Sequence, residues 1–287
     1  MNNYGVYSDN EIQFHYLRTE KPDTNNFKIH THDVCEIYYF LSDHAIFHIE
    51  GNEYHLKYGD LIIMQPMEAH YIEPDPSAPY ERAALHFRRS LFSSFDPEEK
   101  LTRSIYEREP GGSNLFRQED FPTSVWQYCL SMMLIPAPDR RLQIISCLIP
   151  LMNELLKASQ NRPNPKYIEN NTLSAQIIRY INQNLTAPLT LASLCNHFYI
   201  SQSQLCRVFK RATGTSIGDY IATKRLLRAQ QMLRSGMSPT KVMSECGFND
   251  YSAFYRAYSK YFGVSPSYTL KRPDAQEDLL TEYRFKQ

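Results

Sequence analysis

With 287 residues the chain has room for about two domains of ordinary size, and its 31 Lys+Arg and 31 Asp+Glu cancel, so overall charge alone argues against a nucleic-acid partner. No run of about eighteen apolar residues occurs, and the N-terminus lacks a basic stretch leading into an apolar one; the expectation is a cytoplasmic protein without a membrane partner. Cys35, Cys129, Cys147, Cys195, Cys206 and Cys246 form no C-x-x-C pair and sit mostly among apolar neighbours, as small core residues do.

The first twenty or so residues hold several aromatics and few breakers, and are expected to lie as a loose arm or to lack fixed structure. From Phe27 to Phe87 the runs FKIHTH, CEIYYFL, AIFHIE, EYHL, DLIIMQ, HYIE and YERAALHF are separated by GNE, YGD and PDPSAP. Many short strands at close spacing predict an antiparallel sandwich or small β-barrel. HTHDVCEIYYF, YGDLIIMQPMEAH and YERAALHF make this region resemble the cupins. That resemblance implies a site: His30, His32, Glu36 and His70 stand at the spacing by which metal-binding cupins supply three histidines and a carboxylate, with Glu68 where a glycine is common. No cofactor is expected, and a divalent metal on those four residues is the minor alternative, carrying with it a reading as a metal-dependent cupin enzyme. The preferred reading is an effector pocket lined by His30, His32, Glu36, Tyr38, His70 and Arg82, whose polar groups suit a hydroxyl-rich compound such as a sugar.

After Arg88 the pattern becomes helical. In DRRLQIISCLIPLMNELLKA, Leu142, Ile145, Ile149, Met152 and Leu156 recur at three- and four-residue steps and form one apolar stripe, to be covered by the barrel or by a second subunit. SQNRPNPKYIENN, polar and with two prolines, is the expected linker.

Beyond it the charge balance changes: residues 172–272 hold 13 Lys+Arg against 3 Asp+Glu, leaving 18 basic and 28 acidic residues elsewhere. A basic half joined to an acidic one points to a polyanion partner for the former. The same region repeats itself at a 49-residue offset: Ser201, Leu205, Arg207, Phe209 and Gly214 correspond to Asp250, Phe254, Arg256, Tyr258 and Gly263. Each copy has a capping residue, apolar residues four apart, an Arg between them and a terminating glycine. LTLASLCNHF with YIS, and SPTKVMSECGF with ND, precede the two copies, which gives helix, turn and capped second helix twice over. SIGDYIATKRLLRAQQMLRSG reads as one helix between them. With Leu205 and Phe209 inward, Gln202, Ser203, Cys206, Arg207 and Lys210 face outward, and Tyr251, Ser252, Tyr255 and Arg256 do so in the second copy. Arg207 and Arg256 are the candidates for guanine edges; Lys210, Arg211 and Lys260 are candidates for phosphates.

On LTLASLCNHFYISQSQLCRVFKRATGTSIGDYIATKRLLRAQQML and GFNDYSAFYRAYSKYFGVSPSYTLKR this region resembles the AraC/XylS family of bacterial regulators. YEREPGGSNLF resembles the segment that joins sensor to helices in sugar-responsive members. The resemblance implies an α+β chain: a cupin-like sensor over 1–88, a helical dimerisation segment over 89–159, a linker over 160–171, an all-α tandem helix-turn-helix domain over 172–272 and a tail over 273–287. It implies a non-enzymatic regulator whose partners are operator DNA, a small-molecule effector, a second copy of the chain and, for an activator, RNA polymerase. The other reading is a constitutive DNA-binding protein whose barrel is only a dimerisation scaffold.

Overall fold

Period-two alternation governs the N-terminal half. The structure, a computed structural model, describes residues 6–161, 172–272 and 283–284. The strands are β1 (Tyr7–Ser8), β2 (Ile12–Thr19), β3 (His30–Thr31), β4 (Cys35–Phe40), β5 (Ala45–Ile49), β6 (Asn52–Leu56), β7 (Leu61–Met64), β8 (His70–Pro74), β9 (Tyr80–Phe87) and β10 (Leu115–Phe116). One antiparallel sheet runs β1-β2-β9-β4-β7-β10, and β3-β8-β5-β6 lie side by side in a second. Because successive side chains point to opposite faces, Tyr38, Phe40, Ile62, Met64, Tyr80 and Ala84 of the first sheet meet Ala45, Phe47, Ile49, Leu56 and Ile72 of the second in one buried cluster. The opposite face of the first sheet, with Ile37, Leu61, Ile63, Ala83, Leu85 and Phe87, is covered by helices.

The N-terminal segment corrects the sequence expectation of an arm. β2 pairs with β9 along its whole length, from Ile12 opposite Phe87 to Thr19 opposite Tyr80. Its alternation sends Ile12 and Phe14 into the helix-covered core, which fixes the register.

That cover is α2 (Val125–Leu134) and α3 (Arg140–Asn161), after the short α1 (Arg103–Tyr106). α3 faces the sheet with Ile144, Leu148, Leu151, Met152, Leu155 and Ala158. Of the stripe named from the sequence, Met152 belongs to this face, while Ile145, Ile149 and Leu156 are half-buried and Leu142 is 63% exposed. Apolar residues occupy more than one face of α3, and the sequence stripe follows the row beside the core-facing one. α3 also runs through Asn161 and so takes up the first two residues of the linker expected over 160–171; the rest of that linker, 162–171, and the tail apart from 283–284 lie outside the described residues.

The segment between β9 and α2 is locked by one buried carboxylate. Glu68 accepts hydrogen bonds from the backbone N–H of Gln65 (2.8 Å) and Gly111 (2.5 Å) and from both terminal nitrogens of Arg108 (2.8 and 2.5 Å). Burial alone would raise this carboxyl, but the Arg108 guanidinium and the two amides outweigh it and hold it below the usual carboxylate range. Gly111, at φ +75°, sits where an added Cβ would lie 2.7 Å from Glu50 Cβ, so the loop needs a glycine there.

Residues 172–272 form a second compact unit. It comprises α4 (Leu173–Gln183), α5 (Leu191–Phe198), α6 (Gln202–Thr213), α7 (Ile217–Arg234), α8 (Pro239–Glu245), α9 (Tyr251–Phe262) and α10 (Pro266–Lys271). The molecule is thus α+β, a sheet-rich N-terminal half followed by a helical one.

Candidate DNA interface and effector site

Two matched helices are built by matched caps. The Ser201 side chain accepts from Gln204 N–H and the Asp250 side chain from Ala253 N–H, each satisfying one of the free donors at a helix start. Gly214 (φ +68°) and Gly263 (φ +73°) close α6 and α9 in the left-handed region, which glycine enters without steric cost. Between the caps each helix buries one face: Leu205, Phe209 and Thr213 in α6, Phe254 and Tyr258 in α9. Tyr258 donates to Thr269 Oγ1 of α10 at 2.9 Å, and Phe209 meets Tyr220 of α7 edge-on at 5.4 Å.

The opposite faces are open. Gln202, Ser203, Cys206, Arg207 and Lys210 on α6, and Tyr251, Ser252, Tyr255 and Arg256 on α9, are all exposed, as are Arg211 and Lys260. α5 and α6 enclose a turn in which Tyr199 takes φ +54° and is 94% exposed; the turn after α8 uses Gly247 at φ +76°.

One side chain joins the two halves of this unit. Arg225 of α7 donates to Leu185 O (2.8 Å) and Ala187 O (2.7 Å) before α5, and to Gly247 O (2.9 Å) before α9. A Cβ at Gly247 would lie 2.8 Å from Thr186 O and 3.0 Å from the guanidinium carbon, so the close approach requires glycine. Sequence reasoning had no signal for this contact, since Arg225 looks like any helix-surface arginine.

In the N-terminal unit the polar residues converge on Glu36. His32 Nε2 lies 2.9 Å and His70 Nε2 3.4 Å from Glu36 Oε2, and His86 Nε2 lies 3.4 Å from Oε1. His32 and His70 are each fixed at the other ring nitrogen, by Val34 O (3.0 Å) and Glu68 O (2.8 Å). Burial would raise Glu36, but the surrounding imidazoles outweigh it and keep it ionised; burial likewise would lower His70, and the Glu36 carboxylate outweighs that. His32, Glu36 and His86 each offer one ligand atom within 4.8 Å of the others, a donor set that suits a divalent transition metal.

This corrects the four-residue set read from spacing. His30 turns its Nδ1 to Lys28 O (2.9 Å) and meets His70 edge-on at 4.3 Å, and its place at the carboxylate is taken by His86. The signal for His86 was in the alternation of β9, where it follows Arg82 by four residues on the same face. Tyr38 and Arg82, the other two residues expected to line a pocket, lie on that face too: the Tyr38 and Tyr80 hydroxyls are 2.5 Å apart, and Arg82 stands 5.5 Å from the Tyr38 ring centre.

Two family descriptions match the chain in tandem. Residues 15–118 match an AraC-like ligand binding domain, and residues 194–272 a helix-turn-helix domain. The chain belongs to the AraC family. Similarity extends over most of the chain to the Msm operon regulatory protein of Streptococcus mutans, 23% identical over 239 residues that cover 80% of this chain and 82% of that one. LumQ of Photobacterium leiognathi, named a probable transcriptional regulator, is 33% identical over 92 residues, and the transcriptional regulatory protein HptR of Staphylococcus aureus 32% over 92. Those two matches span 37% and 36% of the relatives' own lengths. This AraC-family chain is a DNA-binding transcription regulator with a ligand-binding domain, and its relatives are named as regulators, not enzymes. Among the described residues no helix is long and apolar enough to cross a membrane.

Proposed function

We propose that this protein is a dimeric, sugar-responsive transcription activator that reads a two-part operator. The carrying observation is the pair of capped helices α6 and α9, each buried on one face and open on the other. Gln202, Ser203, Cys206, Arg207 and Lys210 enter one major groove; Tyr251, Ser252, Tyr255 and Arg256 enter the next. The connecting α7, with 18 residues, is about 27 Å long at roughly 1.5 Å per residue, against about 34 Å between successive grooves on one side of B-DNA.

The sugar reading is supported by the chemistry of the inner barrel face, where His30, His32, Glu36, Tyr38, His70, Arg82 and His86 supply hydroxyl-binding donors and acceptors. Dimerisation is supported by the exposed apolar residues on and between α2 and α3, Tyr128 (65%), Ile135 (54%) and Leu142 (63%). Activation, with RNA polymerase as partner, and a cytoplasmic location come from the family resemblance.

The test is operator binding by the full chain in the presence of a sugar panel. A sugar that both raises the melting temperature and changes operator affinity supports the reading, because a ligand shifts an equilibrium only by its differential affinity for the two states. Operator binding that no sugar alters, by a protein that no sugar stabilises, overturns the sugar part and favours the scaffold reading. A protein that retains stoichiometric metal after dialysis and turns over a substrate would favour the cupin-enzyme reading.

A further inference from the structure

Arg82 differs from the other guanidinium groups of the N-terminal unit in what it faces. Arg88, Arg108, Arg117 and Arg141 each meet a carboxylate: Asp33, Glu68, Asp60, and Asp9 with Glu11. Arg140 is bonded by the carbonyls of Met133 and Ile135 beside the end of α2. Arg82 points to the inner face of the barrel, and among the described residues no carboxylate lies within ion-pair distance of it. The carboxylate on that face, Glu36, is engaged by three imidazoles. Arg82 instead donates to His15 Nε2 at 2.5 Å, hydrogen-bonds with the Tyr80 side chain and stands beside the Tyr38 ring.

Burial alone would lower Arg82, but the Tyr80 and Tyr38 phenols and Glu36 outweigh it and keep the guanidinium charged. The groups it hydrogen-bonds, His15 and Tyr80, are nevertheless neutral side chains and not an anion. His15 does not change this by protonating, since burial and the adjacent Arg82 push its pKa down to about 2. The surroundings are also unfinished as a hydrogen-bonded core: His15 Nδ1 and His86 Nδ1 are buried and find no partner among the described residues. His15, Leu17, Phe27, His30 and Arg82 keep partial solvent exposure, whereas Tyr38, Tyr80, Ala84 and His86 on the same face are buried, so Arg82 lies at the end of the inner face nearer to solvent.

We propose that the effector carries a carboxylate and that Arg82 is its counter-ion. Read together with the hydroxyls of Tyr38 and Tyr80 and the imidazoles of His15 and His86, the ligand class is a hydroxylated acid of the uronate or aldonate type. The guanidinium fork matches a carboxylate through two parallel N–H···O bonds, and the ring nitrogens and phenols take the hydroxyls. This rests on the reading of the inner face as the effector pocket, and narrows that reading from sugars in general to sugar acids.

Calorimetric titration of the full-length protein separates the two. The panel is D-galacturonate and D-gluconate, their neutral counterparts D-galactose and D-glucose, and benzoate as a carboxylate without hydroxyls, each with wild type, Arg82→Lys and Arg82→Gln. The expected result is tighter binding of an acid than of its neutral counterpart by roughly tenfold or more, a preference reduced in Arg82→Lys and abolished in Arg82→Gln. Thermal melting without ligand shows whether Arg82 is instead structural: Arg82→Gln keeps a hydrogen-bond donor toward His15 and Tyr80 and should melt close to wild type, and a much lower melting temperature counts against the proposal. Neutral sugars binding as tightly as the acids, unchanged in Arg82→Gln, overturn the carboxylate and leave the sugar reading standing. Benzoate binding without sugar binding keeps Arg82 as a carboxylate site and overturns the sugar. Binding of none of the five overturns both.

Discussion

Arg207 and Arg256 occupy equivalent places, one helical turn into α6 and α9, exposed and on the side opposite Leu205 and Phe254. A guanidinium there can bond guanine O6 and N7 together, so Arg207→Ala should cost about 1–3 kcal/mol on the cognate operator and relax selection at one base pair. Binding to a library of operator variants reads both effects; an equal loss on every sequence would mean that Arg207 touches only phosphate. Glu68 tests a different kind of residue, one that holds the fold. Glu68→Ala leaves the buried Arg108 guanidinium without its anion, which should cost about 3–5 kcal/mol in equilibrium urea unfolding. The folded-state pKa of Glu68 lies below its unfolded value, so its contribution is present above the unfolded carboxyl pKa, about 4.3, and is lost as pH falls through the lower folded value. The stability gap between wild type and Glu68→Gln should therefore narrow below about pH 4 and hold steady from pH 6 to 8; a gap that widens in acid contradicts the pairing.

At the scale of elements, what was legible in the sequence was what is local. The caps Ser201 and Asp250 and the stops Gly214 and Gly263 act within one turn of their helices, and the structure has each of them in that role. Tertiary choices were less visible. β2 carries a readable alternation, Ile12, Phe14 and Tyr16 against Gln13 and His15, but nothing local says what it pairs with; its partner β9 lies far along the chain. His86 was missed because metal-like spacing was taken from one motif, whereas strand pairing brings β9 beside β4 and sets His86 opposite Glu36. α3 was ambiguous for a third reason: with apolar residues on two adjacent rows, periodicity cannot say which row meets the sheet. The row left over is the basis of a prediction. Leu142→Glu should convert a dimer to a monomer in sedimentation velocity with the thermal melt nearly unchanged, because Leu142 is 63% exposed within the chain. A variant that stays dimeric places the subunit contact elsewhere, and a monomeric wild type removes the dimer reading.

For the molecule as a whole, the zero net charge conceals a basic C-terminal half of 13 Lys+Arg against 3 Asp+Glu, and that half must do more than attract phosphate. Reading two grooves at once requires that α6 and α9 keep a fixed phase, otherwise the second contact is made at the entropic cost of ordering a hinge. Arg225 supplies the constraint, since its three hydrogen bonds tie the approach to α5 and the turn before α9 to the same point on α7. Moving the two halves of an operator apart by five base pairs rotates one groove to the far side of the duplex, so the wild-type chain should lose affinity about tenfold or more. Arg225→Met removes the tie while keeping an unbranched side chain on the helix. It should weaken binding to the correctly spaced operator, bind a single half-site as wild type does, and be less sensitive to the five-base-pair insertion. The steepness of the salt dependence distinguishes this from a loss of phosphate contacts, because the slope of log K against log salt falls by about 0.9 per contact removed. An Arg225 variant with an unchanged slope but a blunted response to spacing identifies a phasing residue; one with a shallower slope and wild-type spacing discrimination identifies a phosphate contact instead.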